Sequence, residues 1–385
     1  MNLDFTEEQQ MLRAAARNFL TTEVPKKKVR ELEESEKGHD PELWRRITDL
    51  GWIGLIIPEE YGGAGADFMT LLVLFEEIGR NIFPSPLFST EVLGALPILR
   101  YGSDKQKQEI LPRIAHGEVI TAFALIEPAG TYEPSSIAAR AECKNSSYTI
   151  NGTKLFVNDA MVADYFLVVA RTAEKPEPQA GITLFLVNAK NPGIKVEVMP
   201  TIALDKQCEV IFSDVRVSQT DTLGEEGQGW KIVEGVLEQA AVLKCAESVG
   251  AMEAVVDMAT NYAKERVQYG KPIAAFQVIQ HYLANMSART LTAKGMTYRT
   301  AWMVQEGLPC TLQVSAAKAW VNEAYKFVTE RAVQIHGAIG MTRDHDVGLY
   351  YRRAKAADVI FGDADFHYER IAQQLWPSIK PRSSG

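Results

Sequence analysis

Cysteine is scarce and unpaired in this chain. Of 385 residues only four are cysteine, Cys143, Cys208, Cys245 and Cys310. None forms a C-x-x-C pair or stands near a histidine at metal-ligand spacing, which excludes the common zinc and dithiol motifs. A reduced, cytoplasmic chain with buried thiols is the simplest expectation. Long apolar runs are missing too: none reaches the roughly 18–20 residues that span a bilayer. No basic-then-apolar leader opens the sequence, since Met1-Asn-Leu-Asp-Phe-Thr-Glu-Glu is polar and acidic. Positive charge is not in excess. The net charge of -8 argues against nucleic acid as the main partner, and Lys26-Lys27-Lys28 reads as solvated surface. Neither G-x-G-x-x-G nor a Walker A sequence is present, so a nucleotide cofactor would have to be held in another way.

What is present is the composition of a globular protein, 46% hydrophobic and 23% charged, with length for two or three domains. Residues 1–118 read as helical. Thr6-Glu-Glu-Gln9 has the form of a capping box, and Asp40-Pro41 puts an N-cap before a proline at the first helical position. Further helices are expected from Asp67 to Gly79 and from Ser103 to about His116. From Val119 the pattern becomes one of short β-branched and aromatic runs: Thr121–Glu127, Tyr148–Ile150, Lys154–Val157, Tyr165–Arg171, Ile182–Val187 and Val210–Phe212. Asn151-Gly152 has hairpin-turn chemistry, because both turn residues need positive φ. Helical periodicity returns at Trp230, with helices expected over about 230–267, 274–306, 310–336 and 346–376. The tail Lys380–Gly385 is expected to be disordered. Helices, then strands, then helices make an α+β protein with segments 1–118, 119–227 and 228–385. The absence of βαβ alternation excludes a doubly wound nucleotide fold.

Four segments carry chemistry. Ile56-Ile-Pro-Glu-Glu-Tyr-Gly-Gly-Ala-Gly65 is a glycine-rich turn. Ala122-Phe-Ala-Leu-Ile-Glu-Pro-Ala-Gly130 is a strand running into a tight turn. Asn151-Gly-Thr-Lys-Leu-Phe-Val-Asn158 carries an aromatic followed two residues later by an amide. Last, Glu265-Arg-Val-Gln-Tyr-Gly-Lys-Pro-Ile-Ala-Ala-Phe-Gln277 is matched about 70 residues on by Gln334-Ile-His-Gly-Ala-Ile-Gly340 and Leu349-Tyr-Tyr-Arg-Arg353. As a constellation over essentially the whole chain, these resemble the acyl-CoA dehydrogenase family.

The resemblance implies an N-terminal helical domain, a central β-barrel and a C-terminal four-helix bundle that binds FAD. Phe123, Leu125 and Ile126 would lie at the strand end whose backbone bonds the flavin ring, where N–H groups stabilise the negative charge of reduction near N1 and O2. Phe156 would lie against the ring, and Asn158 stands where a threonine usually bonds N5. Arg266 would grip the pyrophosphate across a subunit interface, as a guanidinium fork suits phosphate oxygens. Phe276 and Gln277 would contact the adenine side. Gln334, His336 and Gly337 belong to the segment that lets backbone approach the pyrophosphate, although a lone His336 also fits a hydrogen-bonded packing role.

The family's reaction removes an α-proton from an acyl thioester while the β-hydrogen leaves as hydride. It therefore needs a carboxylate within reach of the α-carbon. Where such enzymes carry Tyr-Glu-Gly-Thr this chain reads Phe361-Gly-Asp-Ala, and a second family position falls on Ala240. Three carboxylates remain as candidates. Glu247, in Cys-Ala-Glu-Ser-Val-Gly, has small and apolar neighbours and is expected to be buried with a raised pKa, the bland alternative being an ion pair with Lys244. Asp363 lies one residue from the loop position but is shorter by one methylene. Glu91 is the only charge between Pro84 and Leu99, so it either faces water or has a task, exposure being the bland reading. The resemblance thus implies dehydrogenation of a branched, dicarboxylic or cyclic acyl-CoA, an electron-transfer flavoprotein as acceptor, and a homo- or heterotetramer. A flavin-poor partner subunit, or the same fold turned to oxidase or ring-opening chemistry, are the alternatives.

Overall fold

A computed structural model describes residues 4–376; the tail Lys380–Gly385 and the first three residues lie outside the described residues. The chain opens with helices α1 (Glu7–Glu23), α2 (Lys26–Glu34), α3 (Pro41–Asp49) and α4 (Phe68–Asn81). A π-helix, Phe88–Ala95, then leads into α5 (Leu96–Tyr101) and α6 (Asp104–Ala115). Strands β1 (Thr121–Ala124), β2 (Arg140–Lys144), β3 (Ser147–Asn158), β4 (Tyr165–Arg171), β5 (Ile182–Asn188), β6 (Ile194–Met199), β7 (Gln207–Ser218) and β8 (Thr222–Leu223) follow. The remainder is α7 (Gly229–Glu265), a small hairpin of β9 (Val267–Gln268) and β10 (Lys271–Pro272), and helices α8 (Gln277–Gln305), α9 (Thr311–His336), α10 (Asp346–Val359) and α11 (Ala364–Leu375). Helical ends thus flank a mostly β middle. Among the described residues two compact units emerge, one of residues 30–66 and 84–240, the other of 4–29, 67–83 and 241–376.

The first unit is built on an eight-stranded sheet in the order β6-β7-β3-β2-β4-β5-β8, with β1 pairing parallel to β4. Its pairing path does not close on itself among the described residues. Alternating inward residues make the core: Tyr148, Ile150 and Val157 of β3, Phe166 and Val168 of β4, Phe185 of β5, and Val210 and Phe212 of β7. Tyr148 meets Phe185 at 5.0 Å and Phe166 meets Phe212 edge-on at 6.0 Å. The hairpin expected at Asn151-Gly152 lies instead at Asn145-Ser146, which join β2 to β3 with φ of 51° and 60°. Asn151 and Gly152 sit inside one long strand, at a register shift against β7. Glycine is required there because a Cβ would stand 2.5 Å from that of Ala139.

The second unit packs α1 on α4 and α4 on α8, while α9 touches α8, α10 and α11. The capping box forms as expected, with Thr6 and Gln9 exchanging bonds of 3.1 and 3.2 Å. Two buried carboxylates of α4 are paired rather than left bare. Arg17 forks onto Glu77 at 2.9 and 2.6 Å, and Glu76 receives Arg13 at 2.8 Å and Tyr298 at 2.5 Å. Helices α4 and α7 cross closely: a Cβ on Gly79 would fall 1.8 Å from the Glu247 carbonyl oxygen, and one on Gly250 1.8 Å from that of Glu76. Lys26 is not simply solvated. Its ammonium caps the end of α4, on Asn81 O at 2.7 Å and Oδ1 at 2.6 Å.

The single helix expected over 346–376 is two. Phe361 (φ 60°) and Gly362 (φ 99°) break it. The buried Lys318 stabilises the break by bonding the carbonyls of Ala357 at 3.0 Å and Gly362 at 3.3 Å, and Asn322 bonds that of Asp358 at 2.9 Å.

Candidate functional site

In the sheet unit, β1 and β3 bring together the residues expected to meet a flavin ring. Leu155 N bonds Ile126 O at 2.8 Å, tying the turn after β1 to β3. A second register shift, between Lys154 and Val157, releases β3 from regular alternation. Phe156 lies in that bulge at φ 55° and is 48% exposed. Phe123 and Leu125 are buried, whereas Ile126 and Asn158 are partly exposed. An aromatic ring held outward in the left-handed region is a costly arrangement that packing alone does not call for.

Beneath the turn lies a pair that sequence reasoning missed. Lys154 is wholly buried, and its ammonium bonds Glu127 Oε1 at 2.6 Å and Leu125 O at 3.1 Å. Glu127 in turn accepts from the amides of Ala138 (2.8 Å) and Ala139 (3.1 Å). Burial pushes the Lys154 ammonium down to about 8, with Glu127 opposing that fall. Arg171 fixes the next loop, donating to the carbonyls of Ile137, Ala180, Pro134 and Pro178 at 2.9–3.1 Å. A lysine on the inward phase of an alternating strand was the available signal for the pair.

In the helical unit, Tyr262 links the two segments that resemble pyrophosphate-binding sequence. Its ring stacks on His336 at 4.4 Å and its hydroxyl lies 3.4 Å from His336 O. Arg266, whose N–H bonds Tyr262 O at 2.8 Å, follows one turn later and is exposed. The β9–β10 hairpin turns on Tyr269 and Gly270, both at positive φ, and leaves Tyr269 93% exposed. Phe276 holds Lys271 over its ring at 4.6 Å, and Gln277 is exposed at the start of α8. At the end of α9, Gln334 and Gly337 are exposed. Gly337 has φ 66° and open space where a Cβ would be. His336 is buried, with Nδ1 against Ala332 O at 2.7 Å and no partner on Nε2 among the described residues. Burial lowers its pKa, partly opposed by the bond to Ala332 O. Within the sheet unit the outward aromatic ring suits a planar ring system, and within the helical unit the exposed guanidinium and the open glycine backbone suit a pyrophosphate.

The three candidate carboxylates are placed very differently. Glu91 corrects the expectation of exposure: it is wholly buried in the π-helix, a helix type frequent at functional sites. Its Oε1 accepts from the Gly54 amide, Ile56 N–H also supports it, and Oε2 has no partner among the described residues. Burial raises its pKa to about 7, partly opposed by those two amides. Glu247 is less buried than its neighbours suggested, its side chain being 27% exposed, and Oε2 takes Lys244 Nζ at 2.5 Å. The glycine of its motif serves the α4–α7 crossing. Asp363 is the N-cap of α11, accepting from Phe366 N at 2.8 Å. Nearby, His367 is held neutral, its pKa pushed down to about 4 by burial and by Lys318. Glu247 and Asp363 belong to the helical unit and Glu91 to the sheet unit. Among the described residues no helix is long and apolar enough to cross a membrane, and no group of three or more His, Cys, Asp or Glu could hold a metal.

Comparison with known proteins adds a consistent picture. Three family models match in succession: acyl-CoA dehydrogenase N-terminal domain over residues 6–118, middle domain over 122–215 and C-terminal domain over 227–376. The chain is 32% identical over 381 residues to an acryloyl-CoA reductase (NADH) of Anaerotignum propionicum, covering 97% of this chain and 96% of that one. Butyryl-CoA dehydrogenase of Megasphaera elsdenii superposes with a TM-score of 0.90 at 30% identity, covering 97% of this chain and all of the other. A chain from a structure of the electron transferring flavoprotein of Acidaminococcus fermentans, described in terms of flavin-based electron bifurcation, does so with a TM-score of 0.90 at 30% identity over 98% of this chain.

Proposed function

The chain belongs to the acyl-CoA dehydrogenase family, and we propose that it is an FAD-dependent enzyme that dehydrogenates an acyl-CoA thioester between its α- and β-carbons. The observation that carries this reading, beside the three family domains in order, is Phe156: a large aromatic side chain turned outward at φ 55° next to a strand end whose carbonyls are tied down. Such a ring is matched by a planar cofactor.

Bound FAD would supply the hydride acceptor. The Leu125–Glu127 backbone and Asn158 would bond the ring, and Phe156 would cover it and exclude water. Arg266 would hold the pyrophosphate with Gln334 and the Gly337 backbone alongside, and Phe276 and Gln277 would take the adenine side. Glu247 is the preferred base. Lys244 engages its Oε2, and Oε1 would take the α-proton. Asp363, which caps α11, is the weaker candidate because its side chain is shorter by one methylene. Glu91 remains a further candidate, its Oε2 having no partner among the described residues. The Phe361-Gly-Asp363 departure favours a branched, dicarboxylic or cyclic acyl group over a straight chain.

Assembly as a homo- or heterotetramer is supported by large apolar side chains left exposed in the helical unit, among them Val267, Tyr269, Leu291, Ile339 and Met341. A second copy would then supply Arg266 and its neighbours to the cofactor. An electron-transfer flavoprotein is the acceptor that fits a relative of this kind, and cysteines without disulfides suit the cytoplasm. An acyl-CoA panel with an artificial electron acceptor, run on wild type and Glu247→Gln, tests the assignment. Turnover should fall at least about 100-fold in the variant, the scale of general-base catalysis. Undiminished turnover would remove Glu247 as the base.

A further inference from the structure

Three consecutive carbonyls in the turn after β1 are each held by a protein donor. Leu125 O receives Lys154 Nζ at 3.1 Å, Ile126 O receives Leu155 N at 2.8 Å, and Glu127 O receives Gly130 N at 2.8 Å. A trans peptide plane points its C=O and N–H in opposite directions. Seating Leu125 O on the buried ammonium therefore turns the Ile126 N–H away from Lys154, and seating Ile126 O on β3 turns the Glu127 N–H away from that strand. An ammonium on a carbonyl also polarises the peptide it belongs to, which makes that peptide's N–H a stronger donor. The pair is a poor stability device, since a buried ion pair contributes little against apolar residues of equal volume. Lys154 and Glu127 are nonetheless bonded to each other and nearly inaccessible, at 0% and 3% exposure.

We propose that Lys154, locked to Glu127, is a positioning residue that aims and strengthens the Ile126 and Glu127 amide donors toward the reduced form of the flavin, and so raises the reduction potential of the bound cofactor. This rests on the flavin reading of the same strand end. It adds a source for the tuning of that cofactor: a charge behind the peptide rather than a side chain touching the ring.

The test uses full-length wild type, Lys154→Met, Lys154→Arg and the neutral pair Glu127→Gln/Lys154→Gln. FAD content, thermal stability and the two-electron potential of the bound flavin against a reference dye are read for each. Lys154→Met should retain FAD but favour the reduced form about tenfold less, a fall of about 30 mV. Lys154→Arg should recover most of that loss, because it restores the charge. Should Lys154→Met not fold, the neutral pair keeps a hydrogen bond without the charge and should show the same fall. Folded, FAD-loaded variants whose potential matches wild type would overturn this inference while leaving the flavin reading intact. Wild-type protein that takes up no FAD would overturn both.

Discussion

Replacing Glu91 by glutamine isolates the consequence of burying a lone carboxylate in the π-helix. The side chain is 0% exposed, and its pKa stands at about 7 against an ordinary 4.5. The native state therefore holds a proton through a range where the unfolded chain has released it. The stability contributed by this group is complete below about pH 4.5 and is lost as pH rises through about 7. At about 1.4 kcal/mol per pKa unit the full difference is on the order of 3 kcal/mol, and about 2–3 kcal/mol of it falls between pH 5 and pH 8. Glutamine cannot ionise, yet its oxygen can still accept from Gly54 and Ile56. Urea unfolding of both proteins at a series of pH values reads the effect. Wild type should lose about 2–3 kcal/mol more than the variant between pH 5 and pH 8, and the flavin-loaded variant should keep its turnover. Parallel stability profiles would refute the buried, protonating carboxylate. Abolished turnover in a stable variant would move the base from Glu247 to Glu91.

Two further perturbations follow from the helical unit. Arg266→Ala should weaken FAD binding by about 10- to 100-fold through loss of charge-assisted bonds to the pyrophosphate; titration of apoprotein with FAD reads this, and an affinity within twofold of wild type would contradict the assignment. Gly250→Ala would place a methyl group 1.8 Å from the Glu76 carbonyl oxygen. It should cost at least about 1–3 kcal/mol by overpacking the α4–α7 crossing, seen as a lowered melting temperature, and an unchanged one would mean that the helices separate at little cost.

Much of the architecture was legible because local chemistry and final structure agree. Thr6, Asp40 and Ser103 each cap the helix expected of them, and Tyr165–Arg171 is a strand over the expected residues. The misses have physical causes. Asn151-Gly152 has turn chemistry, but the close approach of Ala139 uses the glycine for a bulge, and the true turn at Asn145-Ser146 forms without any glycine. The break at Phe361-Gly362 depends on Lys318 and Asn322, some 40 residues earlier in the chain, which no local pattern reveals. Of the candidate site, the aromatic, arginine and glycine positions could be named from their resemblance. Among the carboxylates, the pairing of Glu247 with Lys244 was legible as the local alternative and the cap by Asp363 is equally local, whereas the burial of Glu91 was not legible because it depends on the amides of the α3–α4 loop.

The most direct measurement of the central claim is anaerobic addition of acyl-CoA thioesters to the purified protein while its visible flavin absorbance is followed. A flavin-loaded protein should bleach with one equivalent of its own substrate and release an α,β-unsaturated thioester, branched, dicarboxylic and cyclic acyl groups acting faster than straight chains. A colourless protein indifferent to FAD, or a flavoprotein that no acyl-CoA reduces, would contradict it.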